Sequence, residues 1–192
     1  MVINTEKPEE SGLVDNYNVR FAPLPMVVIL APNGALTGNF KKAFTQDQVE
    51  AMLLSPVSQQ CLLAFQQQKI VFLCVQGKNT ASNPEALDGV KRFRNEPTLK
   101  KFSEVVMIDP TDPDEKKLLG QLGIASETAV AETFLLAPPG RVVNKWTGPT
   151  SKEAINKALR TLMKAQQACQ IPNCGDPSCE TPKESSPQGG VN

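Results

Sequence analysis

The chain has no histidine among its 192 residues, and one tryptophan and one tyrosine. Histidine is the side chain whose ordinary pKa lies nearest neutrality. Its absence removes the usual imidazole general base, imidazole metal ligands, and any Ser-His-Asp or Cys-His pair. Catalysis would fall to carboxylates, lysines, Tyr17 or a cysteine. Excess charge is missing too: 20 Lys and Arg balance 20 Asp and Glu. A balanced chain carries no broad footprint for nucleic acid or an anionic membrane, so a protein partner is expected instead. The basic group Lys91, Arg92, Arg94, Lys100 and Lys101 reads as a solvated helix face. No apolar run approaches the roughly 20 residues that a bilayer span requires. Residues 1–27 also lack the charged start, apolar middle and cleavage site of an export signal.

What is present is an ordered series of short apolar segments. Met26–Leu30, Ile70–Val75 and Val105–Ile108 are apolar without alternation, and Ile70–Val75 is the kind of strand buried on both faces of a parallel sheet. Helical patterns separate them. Thr45 and Gln48 make a capping-box pattern ahead of Val49, Met52 and Leu53. Ser55-Pro56 opens a helix with Val57, Cys61, Leu62 and Phe65 inward. Asn83-Pro84-Glu85 opens another, burying Leu87, Val90 and Phe93; Glu96-Pro97 breaks it, and Leu99 and Phe102 add a turn. Asp112–Glu115 caps a short helix carrying Leu118, Leu119 and Leu122, with Gly123 as its stop. Thr133–Ala137 and Arg141–Trp146 flank Pro138-Pro139-Gly140, a connection short enough to require an antiparallel hairpin. Thr150 and Glu153 then cap a helix striped with Ile155, Ala158, Leu159 and Leu162.

This order predicts a three-layer α/β/α domain. Its mixed central sheet has about five or six strands and ends in a β-hairpin and a C-terminal helix. Residues 1–25 read as a flexible leader, 26–167 as the domain, and 168–192 as a tail rich in Cys, Pro and Gly, without a packed core. One pattern occurs twice. Val28-Ile29-Leu30-Ala31-Pro32-Asn33-Gly34 recurs as Phe134-Leu135-Leu136-Ala137-Pro138-Pro139-Gly140. An aromatic residue, Phe40 or Trp146, and then a helix follow each copy, which makes Ala35–Phe40 a further candidate strand.

The order from Ile70 to Leu162 resembles the thioredoxin-like superfamily. The clearest part is Glu104–Pro110, a short helix, Ala131–Gly140, and the closing hairpin and helix. The chain is also similar to bacterial thioredoxin-like proteins with a cysteine-containing tail. The resemblance implies a redox Cys-x-x-Cys at the start of the helix after the central strand. Gly77-Lys78-Asn79-Thr80-Ala81-Ser82-Asn83 stands there, with no cysteine. It also implies a cis-proline before the penultimate strand. Glu132 occupies that place, and cis bonds are essentially confined to X-Pro. The family's redox activity is therefore not expected at this site.

Five cysteines remain. Cys169, Cys174 and Cys179 are evenly spaced among Pro172, Gly175 and Pro177. Their thiolates could bind a soft metal, with Asp176, Glu180 or a second chain completing the set, since structural zinc takes four ligands. Two could instead form a disulfide and leave one for an intermolecular bond, or all three could be incidental. Cys61 and Cys74 read as small buried hydrophobes, with a mutual disulfide as the alternative. The Gly77–Asn83 loop, with Lys78, Asn79, Thr80 and Ser82, leads into a helix N-terminus that favours anions, yet an ordinary capped loop accounts for it. Asp109, Asp112, Asp114 and Glu115 could attract a cation, but helix capping explains most of them. Trp146 reads as packing. The leading expectation is a non-catalytic thioredoxin-like domain for binding or assembly, without a cofactor. Its three tail cysteines favour an extracytoplasmic setting and disulfide-linked or tail-mediated association. The alternatives are an atypical thiol-disulfide oxidoreductase using the tail cysteines and a metal-binding protein using the tail thiolates.

Overall fold

The computed structural model of the chain describes residues 6–17, 19, 22, 23, 25–41 and 43–168. Cys169, Cys174 and Cys179, with Asp176 and Glu180, lie outside the described residues. The fold is α/β. Its principal sheet is mixed and four-stranded, and a separate two-stranded sheet lies outside it.

β3 (Ile70–Val75) is the centre of the principal sheet, with all but its first residue buried. On one side it pairs parallel with β4 (Ser103–Ile108). On the other it pairs antiparallel with β5 (Glu132–Ala137), which turns back into β6 (Arg141–Thr147). The order is β4-β3-β5-β6. Side chains alternate across a strand, so β3 feeds two cores. Val71, Leu73 and Val75 pack with Val57, Cys61 and Ala64 of α3 (Pro56–Gln66) and Leu119 of α6 (Lys116–Gln121). Phe72 and Cys74 pack with Val90 and Phe93 of α4 (Asn83–Arg94) and Ile155 of α7 (Lys152–Ala168). Helices therefore cover both faces. Trp146 is half-buried against the second core, a packing role.

The helix ends follow local chemistry. Ser55 caps α3 with Pro56 in the first turn, and the buried Glu115 reinforces the cap from far along the chain. Its carboxylate accepts from the Val57 N–H at 2.8 Å and from the Ser55 hydroxyl at 2.6 Å. α4 and α7 approach through Gly89. A Cβ there would stand 1.8 Å from the Thr150 carbonyl oxygen, so only glycine admits the loop before α7. That helix is capped by Ser151, which accepts from Ala154 N–H at 3.1 Å; the expected Thr150 hydroxyl turns to Gly148. α5 (Pro97–Lys101) is the extra turn after Glu96-Pro97, but Phe102 at its end is exposed. The basic face divides likewise: Arg92 pairs with Asp88, and Arg94 reaches back to the Ser103 carbonyl.

The N-terminal third departs from expectation. Residues 8–16, expected within the leader, form a 3-10 turn (Pro8–Glu10) and α1 (Ser11–Asn16), with Val14 buried. The run Met26–Leu30, expected beside the other two in the principal sheet, supplies β1 (Val27–Leu30), which among the described residues pairs only with β2 (Leu36–Phe40). The principal sheet thus has four strands instead of five or six. The Ala31–Gly34 turn does not decide this, since β5 turns back into β6 through the same Ala-Pro-x-Gly and still lies in the principal sheet; among the described residues β1 lacks a second strand alongside it. Burial confirms the different setting, since Val27 is 41 % and Leu30 39 % exposed. The Thr45–Gln48 capping box forms in full, yet α2 (Gln46–Glu50) buries no residue and Leu53 beyond it is exposed.

Candidate functional site

In open α/β sheets ligands collect beyond the carboxyl ends of the parallel strands. Here a cleft of about 530 Å³ lies at that end. Gly77–Thr80 after β3, Asp109–Thr111 after β4 and Ser126–Ala129 before β5 line it. The fold thus brings together the loop and part of the acidic cluster singled out in the sequence. The Ser126–Ala129 wall had no sequence signal, being a polar connection without motif or periodicity.

Within the loop, Gly77, Thr80 and Asn83 are engaged with one another. The Thr80 hydroxyl accepts from Gly77 N–H at 2.8 Å and sits 2.6 Å from Asn83 Oδ1, while Asn83 Nδ2 donates to the Gly77 carbonyl at 2.8 Å. Ser82 precedes the helix in the left-handed region, with φ 62°, and makes no side-chain cap. The next wall is stitched to the loop by backbone. Ala81 N–H donates to Ala129 O at 2.8 Å and Ala131 N–H to Ala81 O at 2.9 Å, forming a bridge between Ala81 and Val130. The place before α4 is therefore a loop tied to itself through Thr80 and Asn83 and to the next wall through Ala81, without the side-chain cap expected at the helix start.

The acidic residues disperse by role. Asp109 accepts from the Thr111 hydroxyl at 2.7 Å and its N–H at 2.9 Å, which holds its carboxyl below the usual range, with Lys78 adding to the effect. Asp112 caps the 3-10 turn Pro113–Glu115, and Glu115 is drawn away to α3. Among the described residues no three His, Cys, Asp or Glu side chains gather as a metal-binding group.

Glu132 opens β5 and ion-pairs with Lys145 at 2.9 Å; its second carboxylate oxygen is buried without a partner. Lys145 also lies over the Phe134 ring, 5.1 Å from its centroid. Among the described residues the cis peptide bond falls elsewhere, at Pro138-Pro139 in the β5–β6 turn.

Cys61 and Cys74 are free thiols on opposite faces of the sheet, so no disulfide joins them. Burial pushes the Cys61 thiol up to about 12, with the Glu115 charge adding to it. Burial pushes Cys74 up to about 11, against a smaller lowering from Thr133. The Thr133 hydroxyl makes no hydrogen bond of ordinary geometry and faces the Cys74 sulfur across the strand pair. A thiol is nucleophilic as thiolate, and neither is one near neutrality. The arrangement offers a polar cleft with Lys78, Asp109 and Glu127 on its walls and no activated nucleophile among the described residues. No helix of the described residues is long and apolar enough to cross a membrane. No protein-family model, curated protein or solved structure matches the chain.

Proposed function

We propose that this chain is a thioredoxin-like domain used for binding or assembly instead of thiol chemistry. Support for the first half comes from the strand order β4-β3-β5-β6, with the first two strands parallel and an antiparallel hairpin closing the sheet. The grouping of α4 with α7 on one face and α3 with α6 on the other agrees with it. The observation that carries the second half is the closed Gly77–Thr80–Asn83 network at the head of α4, where a redox pair would sit in that superfamily. A loop whose Thr80 and Asn83 side chains are bonded back to Gly77, and which is joined to the next wall through Ala81, offers no sulfur to a disulfide substrate.

The test is reduction of insulin by the full chain with dithiothreitol as the electron source. The expected rate equals that of dithiothreitol alone. Acceleration that disappears on replacing Cys169, Cys174 and Cys179 by serine would overturn the reading and assign the chemistry to the tail.

A further inference from the structure

The two ββα segments match in structure at all four paired positions of β1. Val27 pairs with Phe40 as Thr133 pairs with Trp146; Val28 with Asn39 as Phe134 with Lys145; Ile29 with Gly38 as Leu135 with Asn144. Both ladders then slip by one residue, so that Leu30 meets Leu36 and Leu136 meets Val142. β1 is therefore the counterpart of β5. The two differ at their outer edges. β5 gives its outer edge to an uncharged antiparallel strand: Val71, Phe72, Leu73 and Cys74 face Leu136, Leu135, Phe134 and Thr133. Among the described residues no strand pairs with the outer edge of β1.

An exposed strand edge is a template for pairing unless charge, a bulge or a covering group blunts it. The other open edges are blunted. β4 carries Glu104, ion-paired with Lys69. β6 carries Arg141 and Lys145 and the ladder slip. β2 has the same slip, and the Gln66 amide occupies both backbone groups of Leu36, at 3.0 and 2.7 Å. β1 is Val-Val-Ile-Leu, without a charge, and is exposed at both ends. Two other strands are uncharged: β3 is paired on both sides, and the open edge of β2 is held by Gln66. A β1 strand from another copy is the remaining match.

We propose that the outer edge of β1 joins two copies of this chain, β1 pairing antiparallel with β1 of the second copy in the order β2-β1-β1-β2. Successive residues point their N–H groups to opposite sides, so opposed residues must share phase. A two-fold axis therefore passes through a residue, Val28 or Ile29. The pairing rests on the assembly part of the function proposed above and is independent of whether the tail has redox activity.

Sedimentation equilibrium on the full chain tests it, with and without reductant, across micromolar concentrations. The expected mass rises from 20.8 kDa towards twice that value in both conditions. Val27→Lys with Leu30→Lys, both at exposed positions, keeps the circular dichroism spectrum and weakens association at least tenfold. In a chain with Cys169, Cys174 and Cys179 replaced by serine, Val28→Cys or Ile29→Cys, whichever lies on the axis, forms an interchain disulfide on oxidation. This arm decides the matter if the lysine variant fails to fold. A monomer throughout overturns the proposal, as does a dimer that reductant alone dissolves or one that the folded lysine variant retains. None of these results bears on the insulin assay, so the two readings fail separately.

Discussion

The β1–β2 and β5–β6 hairpins are built alike and serve differently. Both turn through Ala-Pro-x-Gly, with the glycine N–H donating to the alanine carbonyl at 2.9 and 2.8 Å. Both glycines take positive φ, +87° at Gly34 and +132° at Gly140, where a side chain would be strained. Both lead to a hydroxyl-capped helix, at Thr45 and at Ser151. Yet β5 is almost wholly buried and β1 is half out in solvent. Turn, register and cap are local consequences of sequence; burial depends on what comes alongside. β5 has β3 against it and a 17-residue helix to cover it. The helix after β2 has five residues and buries none. One hairpin is held by apolar area, the other by side-chain clamps.

The comparison breaks most visibly at matched core positions. Leu135→Ala removes a fully buried side chain and is expected to cost about 3 kcal/mol, within the range for leucine truncation. Ile29→Ala, its half-buried counterpart, should cost about 1 kcal/mol, because part of the burial is already missing. Urea unfolding of the two variants measures the difference; equal costs would show that the hairpins are equally integrated. The glycine contacts offer a second contrast. At Gly89 an added Cβ meets backbone that α7 holds in place, so Gly89→Ala should cost about 2 kcal/mol or more. At Gly38 it meets the Met52 sulfur at 2.7 Å, the far part of a flexible side chain. Gly38→Ala should lie within about 0.5 kcal/mol of neutral, since the alanine also restricts the unfolded chain.

Cys74 stands opposite Thr133, in the β3–β5 seam that the first hairpin lacks, and its titration reports on that seam. Its folded pKa is raised from 9.0 to about 11, and that of Cys61 from 9.0 to about 12. Above 9 the unfolded chain loses protons that the folded chain keeps. The stability from protonated burial is thus whole below the unfolded value and is lost as pH rises through the folded ones. Each thiol should contribute a fall of up to about 1.4 kcal/mol per pH unit in that window. Unfolding free energies at pH 8, 9 and 10 test this, and Cys74→Ala should remove one thiol's share of the slope.

What is legible in the sequence follows the same divide. Ile70–Val75, Val105–Ile108 and the Pro138-Pro139-Gly140 hairpin were legible because patterning and turn chemistry act over a few residues. Met26–Leu30 has the same patterning as Ile70–Val75 and a different place, because an uncharged run marks a strand without naming its neighbour. A polar loop at Gly77–Asn83 leading into a helix was legible at the site, but its ordinary side-chain cap was not found, since Ser82 takes the left-handed region. The bond from Glu115 to Ser55 and Val57 was not, since nothing local marks a carboxylate that serves a helix so far along the chain. Ser126–Ala129 likewise reached the cleft wall through the return to β5 alone.

The smallest expected effect isolates the clamp itself. Gln66, at the end of α3, donates its amide to the Leu36 carbonyl and accepts the Leu36 N–H, so one side chain stands in for a neighbouring strand. Both bonds are exposed to solvent, so their net worth is about 1 kcal/mol together. Gln66→Ala should therefore lower the unfolding free energy in urea by no more than about 1 kcal/mol. It should still raise amide exchange at Leu36 and along β1 about fivefold, with β5 unaffected, because local opening is governed by local contacts. If exchange in β5 rose in step, the two hairpins would open as one unit, and the distinction between a clamped hairpin and a buried one would fail.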